Sequence, residues 1–99
     1  MPPKKSQEDS THDLAKVLSA LADPVRLQII GLLHERPDEL GWGELEFDIC
    51  KATLSHHVKK LRMAGLIDYR KEGTRCYLYI RKDFEKKFPG LLKAILKTK

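Results

Sequence analysis

Thr53-Leu54-Ser55-His56-His57-Val58-Lys59-Lys60-Leu61-Arg62-Met63-Ala64-Gly65-Leu66-Ile67 decides the fold of this 99-residue chain. At about 100° per residue, Leu54, His57, Val58 and Leu61 share one arc of a helix, and Ala52, Ser55, His56, Lys59 and Met63 lie opposite. One side packs, and the other offers small polar groups, imidazole and ammonium. A solvated surface helix is the commoner meaning of such a segment taken alone.

The residues after Gly65 change the reading. Leu66–Arg70 and Arg75–Ile80 read as two strands joined by Lys71-Glu72-Gly73-Thr74, because aromatic and β-branched residues suit a pleated surface and Gly73 supplies positive φ. Arg70, Lys71, Thr74 and Arg75 crowd the tip. A helix with a polar, basic outer face followed by a basic hairpin is the order of a winged helix-turn-helix, whose helix enters a DNA major groove while the wing holds the backbone. The fold class expected is therefore mainly α with a small β-hairpin wing, in helices-then-hairpin-then-helix order. Lys51, Thr53, Ser55, His56, Lys59 and Lys60 on the helix, with Arg70, Lys71, Thr74 and Arg75 on the wing, form the candidate DNA-binding set.

Charge is segregated along the chain in the sense this reading requires. Residues 7–50 carry three basic against ten acidic side chains, whereas residues 51–82 carry nine basic against two acidic. Such asymmetry makes one surface attractive to a polyanion and another repellent, which orients docking. No apolar run approaches the roughly 18 residues of a membrane span, and no signal-type segment follows the start. A cytoplasmic location without membrane contact is expected. Cys50 and Cys76 lack CxxC spacing and do not form a disulfide framework.

The N-terminal half reads as scaffold. Residues 1–10 are expected to be a disordered tail, and residues 11–99 one domain. Ser10 or Thr11 would cap a helix carrying Leu14, Val17, Leu18 and Leu21. Asp23 as N-cap with Pro24 at the first helical position starts a second helix ending near Glu35, with Val25, Ile29, Leu32 and Leu33 inward. Pro37 closes it. Gly41 and Gly43 suggest turns, with a helical turn over 44–48. After the wing, Pro89-Gly90 splits the tail 83–96 into two helical pieces.

Ala22-Asp23-Pro24-Val25-Arg26-Leu27, Leu54-Ser55-His56-His57-Val58-Lys59-Lys60-Leu61, Ala64-Gly65-Leu66-Ile67 and the wing Glu72-Gly73-Thr74-Arg75-Cys76-Tyr77 together resemble the ArsR/SmtB family of bacterial transcriptional repressors. The resemblance covers about residues 14–80. It implies a homodimer on an inverted-repeat operator in double-stranded DNA, with the first and last helices paired across a two-fold axis. Leu14, Val17, Leu18, Phe84, Phe88, Leu92, Ile95 and Leu96 are the corresponding interface candidates. Without the resemblance, tail residues of this kind would be assigned to the chain's own core.

Many such repressors release DNA on binding metal, but the ligands are missing from this sequence. Where the family often has Cys-x-Cys-Asp-Leu, this chain has Gly41-Trp42-Gly43-Glu44-Leu45, and the segment up to Ser55 is about two residues shorter than in typical members. No histidine follows His57, and His12 and His34 are not clustered. Neither a metal nor a cofactor is expected, which leaves a small-molecule effector or thiol oxidation at Cys50 and Cys76. Buried filler is the role favoured for both cysteines. Ser55 beside His56 is no nucleophile–base pair, so no catalytic residue is assigned and the chain is not expected to be an enzyme. The alternative is a winged-helix module for protein–protein interaction, but its exposed helix would carry apolar anchors where this one has Ser55, His56, Lys59 and Lys60.

Overall fold

A computed structural model describes residues 5–36, 40–41 and 49–97, with side chains from Asp13 onward except Leu40. Helix α1 spans Lys5–Leu21 and α2 spans Pro24–Glu35. Strand β1 is Leu40–Gly41, α3 is Lys51–Met63, β2 is Ile67–Glu72 and β3 is Arg75–Ile80. Two short helices follow, α4 (Lys82–Lys87) and α5 (Leu91–Leu96). The order is that of the winged helix-turn-helix expected from the sequence.

The joints follow from local chemistry. Asp23 takes extended backbone angles, and its carboxylate accepts the Arg26 N–H at 3.1 Å, while Pro24 fills a position that needs no donor. Between Asp13–Leu21 and Pro24–Glu35 the chain turns through 101°. Helix α3 ends in a Schellman motif. Leu66 N–H reaches Leu61 C=O at 3.1 Å, Gly65 N–H reaches Arg62 C=O at 2.9 Å, and Gly65 has φ +81°. Leu61 and Leu66, brought together by that motif, are both fully buried.

In the wing, Glu72 pairs with Arg75 across the two-residue loop Gly73-Thr74. Gly73 has φ +64° and Thr74 is not in the positive region, the pattern of a type II′ turn. The first strand runs on to Glu72, so the loop is shorter than the sequence suggests, whereas the second strand has the expected bounds, Arg75–Ile80. Arg81 N–H to Leu66 C=O at 2.9 Å closes the open end of the hairpin. Strand β1 pairs with the outer edge of β3, Leu40 opposite Leu78 and Gly41 opposite Tyr77, making a three-stranded sheet of order β1-β3-β2.

One core joins these elements: Val17, Ala20 and Leu21 of α1, Ile29, Ile30 and Leu33 of α2, Leu54, Val58 and Leu61 of α3, and Leu66, Ile67 and Leu78 of the wing. Phe84 and Leu92 complete it from the tail. An ion pair between Lys87 and Asp13 ties α4 to α1, and Leu96 lies against Gly31 of α2.

Several expectations are corrected. Residues 5–10, assigned to a disordered tail, belong to α1, since nothing between Lys5 and Leu21 breaks a helix and Lys, Gln and Glu favour one. Gly41, read as turn-like, is paired in a strand. Ile30 replaces Val25 and Leu32 as a fully buried position of α2, because that helix is packed on several sides. Val17, Phe84 and Leu92, taken as interface residues, are buried in the protomer's own core. Phe88, Ile95 and Leu96 are half-buried against that core, whereas Leu14 and Leu18 are exposed. The expected turn over 44–48 and the Pro37 stop lie outside the described residues.

Truncating a tail residue therefore removes core. Phe84→Ala and Leu92→Ala should each lower unfolding free energy by about 2–5 kcal/mol. Exposed Glu85→Ala should change it by less than about 0.5 kcal/mol, all three measured by urea denaturation at matched protein concentration.

Candidate nucleic-acid interface

Burial of Leu54, Val58 and Leu61 fixes which side of α3 faces outward. Lys51, Thr53, Ser55, His56, Lys59, Lys60 and Met63 are all exposed on it. The helix has 13 residues and contains no acidic side chain. At about 1.5 Å per residue it is roughly 20 Å long, and its diameter of about 10–12 Å matches a major groove some 12 Å wide.

His57 is held on the scaffold side. Its Nδ1 lies 3.1 Å from Arg26 Nη1 and 3.7 Å from Asp23 Oδ2. An arginine has only donors, so Nδ1 is the acceptor in this contact. Arg26 Nε also donates to Ala20 C=O at 2.6 Å. The Asp23 carboxyl is held below its ordinary range, first by the Arg26 backbone N–H and then, against the cost of desolvation, by the charge of Arg26. These contacts orient α3 on the α1–α2 corner. His56 points to solvent, so the two adjacent histidines divide as the helical angle requires.

On the wing, Lys71, Thr74 and Arg75 are exposed around the Gly73 turn. Arg70 is differently placed: its guanidinium lies 4.8 Å from the Tyr77 ring centroid and pairs with Glu72. It therefore acts first as a brace within the hairpin. Arg62 bridges helix and wing, 4.4 Å over the Tyr69 ring and 3.7 Å from Asp68. Sequence reading missed the bracing roles of Arg26 and Arg62. The Asp23-Pro24-Val25-Arg26 motif was visible, but its partner His57 lies 31 residues further on.

Cys50 is not the buried filler expected. It is exposed at the N-cap of α3, with Sγ 3.1 Å from Thr53 Oγ1, whereas Cys76 is half-buried on β3. Hydrogen bonding from the Thr53 side chain, with its backbone N–H second, holds the Cys50 thiol below the ordinary thiol range. Among the described residues, no three His, Cys, Asp or Glu side chains converge as a metal site.

Residues 23–69 match the bacterial regulatory protein, arsR family. The uncharacterized HTH-type transcriptional regulator YceK of Bacillus subtilis is 39% identical over 84 residues, spanning 82% of this chain and 84% of that protein. The biofilm growth-associated repressor of Agrobacterium fabrum is 31% identical over 82% of this chain and 69% of its own length. Among solved structures, the homodimeric winged helix-turn-helix DNA-binding domain of Mb0332 from Mycobacterium bovis superposes with a TM-score of 0.71 at 25% identity, covering 96% of this chain and 88% of that one.

In a Cys76→Ser background, the pH midpoint for alkylation of Cys50 by iodoacetamide should fall below that of a cysteine peptide, because a lowered pKa yields thiolate at lower pH. Thr53→Val should move the midpoint upward and slow alkylation between the two midpoints. An unmoved midpoint would show that the Thr53 hydroxyl does not act on the thiol.

Proposed function

The chain belongs to the ArsR family of bacterial regulatory proteins and is a DNA-binding transcriptional regulator, not an enzyme, and we propose that it works as a homodimeric repressor on an inverted-repeat operator. The observation that carries this reading is the acid-free outer face of α3. Ser55 and His56 meet base edges, Lys51, Thr53, Lys59 and Lys60 meet phosphates along the groove, and Lys71, Thr74 and Arg75 at the wing tip hold the flanking backbone. Arg70 supports the wing and contributes its charge only in part, because Glu72 offsets it.

Two subunits place their reading helices in successive major grooves, about 34–36 Å apart. Leu14 and Leu18, 38% and 47% exposed and one turn apart on α1, begin the interface. The Lys87–Asp13 pair keeps half-buried Phe88 beside that helix, and Ile95 and Leu96 of α5 extend the apolar edge. The domain structured from α1 to α5 thus uses both terminal helices for pairing. Its DNA target places the regulator in the cytoplasm, and among the described residues no single helix is long and apolar enough to cross a membrane. The releasing signal is a small molecule, a reading supported by the lack of thiols and histidines where family members bind metal. Oxidation of Cys50 is the alternative signal, favoured by its exposure and lowered pKa, and Cys76 on the wing is the second thiol it would involve.

DNA binding should weaken steeply with salt. Replacing Lys59, Lys71 or Arg75 by Gln should flatten the slope of log affinity against log salt by about one unit each. Ser55→Ala and His56→Ala should alter the ranking of operator variants by about 1 kcal/mol at the bases they read, the scale of a single hydrogen bond, with little change in slope. Fluorescence anisotropy over a salt series measures both quantities. Rankings left intact by both substitutions would show that another face of α3 reads the bases.

Leu18→Asp should give a folded monomer by analytical ultracentrifugation, since the site is already half open in the protomer. Operator affinity should fall by about 10²–10⁴, because the second half-site no longer benefits from a tethered partner. A Leu18→Asp dimer would place the interface elsewhere.

A further inference from the structure

We propose that the open cleft between α1 and α3 binds a small organic anion, a carboxylate or phosphate monoester on a compact apolar body, and that its occupation competes with DNA for the reading helix. The cleft has a volume of about 590 Å³. That lies within the roughly 300–1,000 Å³ of small-molecule sites. Its lining contains no acidic residue and four cations, Lys16 from α1, Arg26 from α2, and Lys59 and Lys60 from α3. Positive charge from three elements with no carboxylate among them is unfavourable in the empty cleft and selects an anionic occupant.

Arg26 gives the site a fixed donor. Its Nε and Nη1 are held by Ala20 C=O and His57 Nδ1, and among the described residues Nη2 makes no hydrogen bond. The guanidinium is oriented before any ligand arrives, which limits the ordering cost of binding. The other half of the site is apolar. Met63, 74% exposed, lines the cleft with Ala15, Ala20 and Ala64. An exposed methionine serves no purpose in attracting phosphate, but it adapts well to an aryl or alkyl group. A duplex phosphate can reach the lysine tips, whereas half-buried Arg26 and the apolar wall suit a ligand small enough to enter.

Binding and regulation are linked through shared residues. His56, Lys59 and Lys60 line the cleft and also belong to the proposed DNA face. An anion seated there neutralises their positive charge, which a neutral side chain filling the cleft would not do, so it lowers DNA affinity without any movement of the fold. The regulatory half rests on the function proposed above, but anion binding itself does not.

The test uses the full chain labelled with ¹⁵N, without DNA, titrated with phenyl phosphate and benzoate. Inorganic phosphate and the neutral phenol serve as controls. Saturable shifts are expected at the amides of Ala15, Ser19, Ala20 and Ala64, with phenyl phosphate binding about tenfold more tightly than inorganic phosphate. Lys16→Gln should weaken it about fivefold. Ser19→Trp should fill the cleft and abolish it. Phenyl phosphate should then release DNA from the wild type but not from Ser19→Trp, which should retain DNA affinity. Equal affinity for phenyl phosphate and inorganic phosphate, or equally large shifts over residues 71–75, would overturn the site. Saturation at the cleft in a protein that binds no DNA would support the site and overturn the functional reading on which its regulatory role rests.

Discussion

Arg26 is the hinge of this architecture. Its backbone N–H donates to Asp23 at the start of α2, while its guanidinium donates back to the last full turn of α1 through Ala20 C=O and reaches forward to His57 on α3. Three helices are thereby indexed to one planar group. Apolar packing alone is non-directional and would let α3 rotate by part of a turn with little change in buried area. Hydrogen bonds to a charged group, worth about 1.5–3 kcal/mol each, penalise that rotation and keep Ser55, His56 and Lys59 outward. Removing the arginine would also strand the Ala20 carbonyl and an imidazole that is 12% exposed.

What could be read from the sequence is what short-range chemistry dictates. Asp23-Pro24 announces a helix start because both residues act within one turn, and Gly65 and Gly73 announce a helix end and a hairpin because each supplies a backbone angle that L-residues avoid. The outward face of α3 follows from Leu54, Val58 and Leu61. Strand β1 was invisible because two residues carry no periodicity, and their partners, Leu78 and Tyr77, lie far along the chain. Phe84 and Leu92 failed for a different reason. An apolar residue at helical spacing looks the same whether it fills its own core or a partner's surface, and only packing separates the two. Cys50 was misplaced because composition favours buried thiols, whereas its position just before α3 leaves it open to solvent.

With two exceptions, exposed Arg75 at the wing tip and Lys87 paired with Asp13, basic residues on the helix, the wing and their supports divide their labour by type. Arg26, Arg62, Arg70 and Arg81 are committed to intramolecular partners: a carbonyl and imidazole, the Tyr69 ring and Asp68, the Tyr77 ring and Glu72, and both carboxylate oxygens of Asp83. Lys51, Lys59, Lys60 and Lys71 stand exposed on the helix and wing, and none is in an ion pair among the described residues. The planar fork of arginine suits bracing, since it stacks and binds bidentately with a fixed geometry. A hydrated ammonium on a flexible stem suits attraction to a line of phosphates whose positions vary with DNA sequence.

That division constrains how such a protein discriminates between sequences. The strongest base contacts come from arginine or lysine on guanine and from asparagine or glutamine on adenine; from Lys51 to Lys60 the helix has no arginine, asparagine or glutamine, and its lysines are the phosphate contacts proposed above. The hydroxyl of Ser55 and the imidazole of His56, the base readers proposed above, would make single hydrogen bonds of lower selectivity. One subunit on one half-site would then distinguish targets weakly, and a modest loss at one base could be offset by the general attraction of the lysines. Pairing two such helices multiplies the discrimination, because both half-sites must match at a fixed spacing and each mismatch adds its own cost. In the proposed dimer the exposed leucines of α1 would therefore matter to specificity as much as Ser55 and His56.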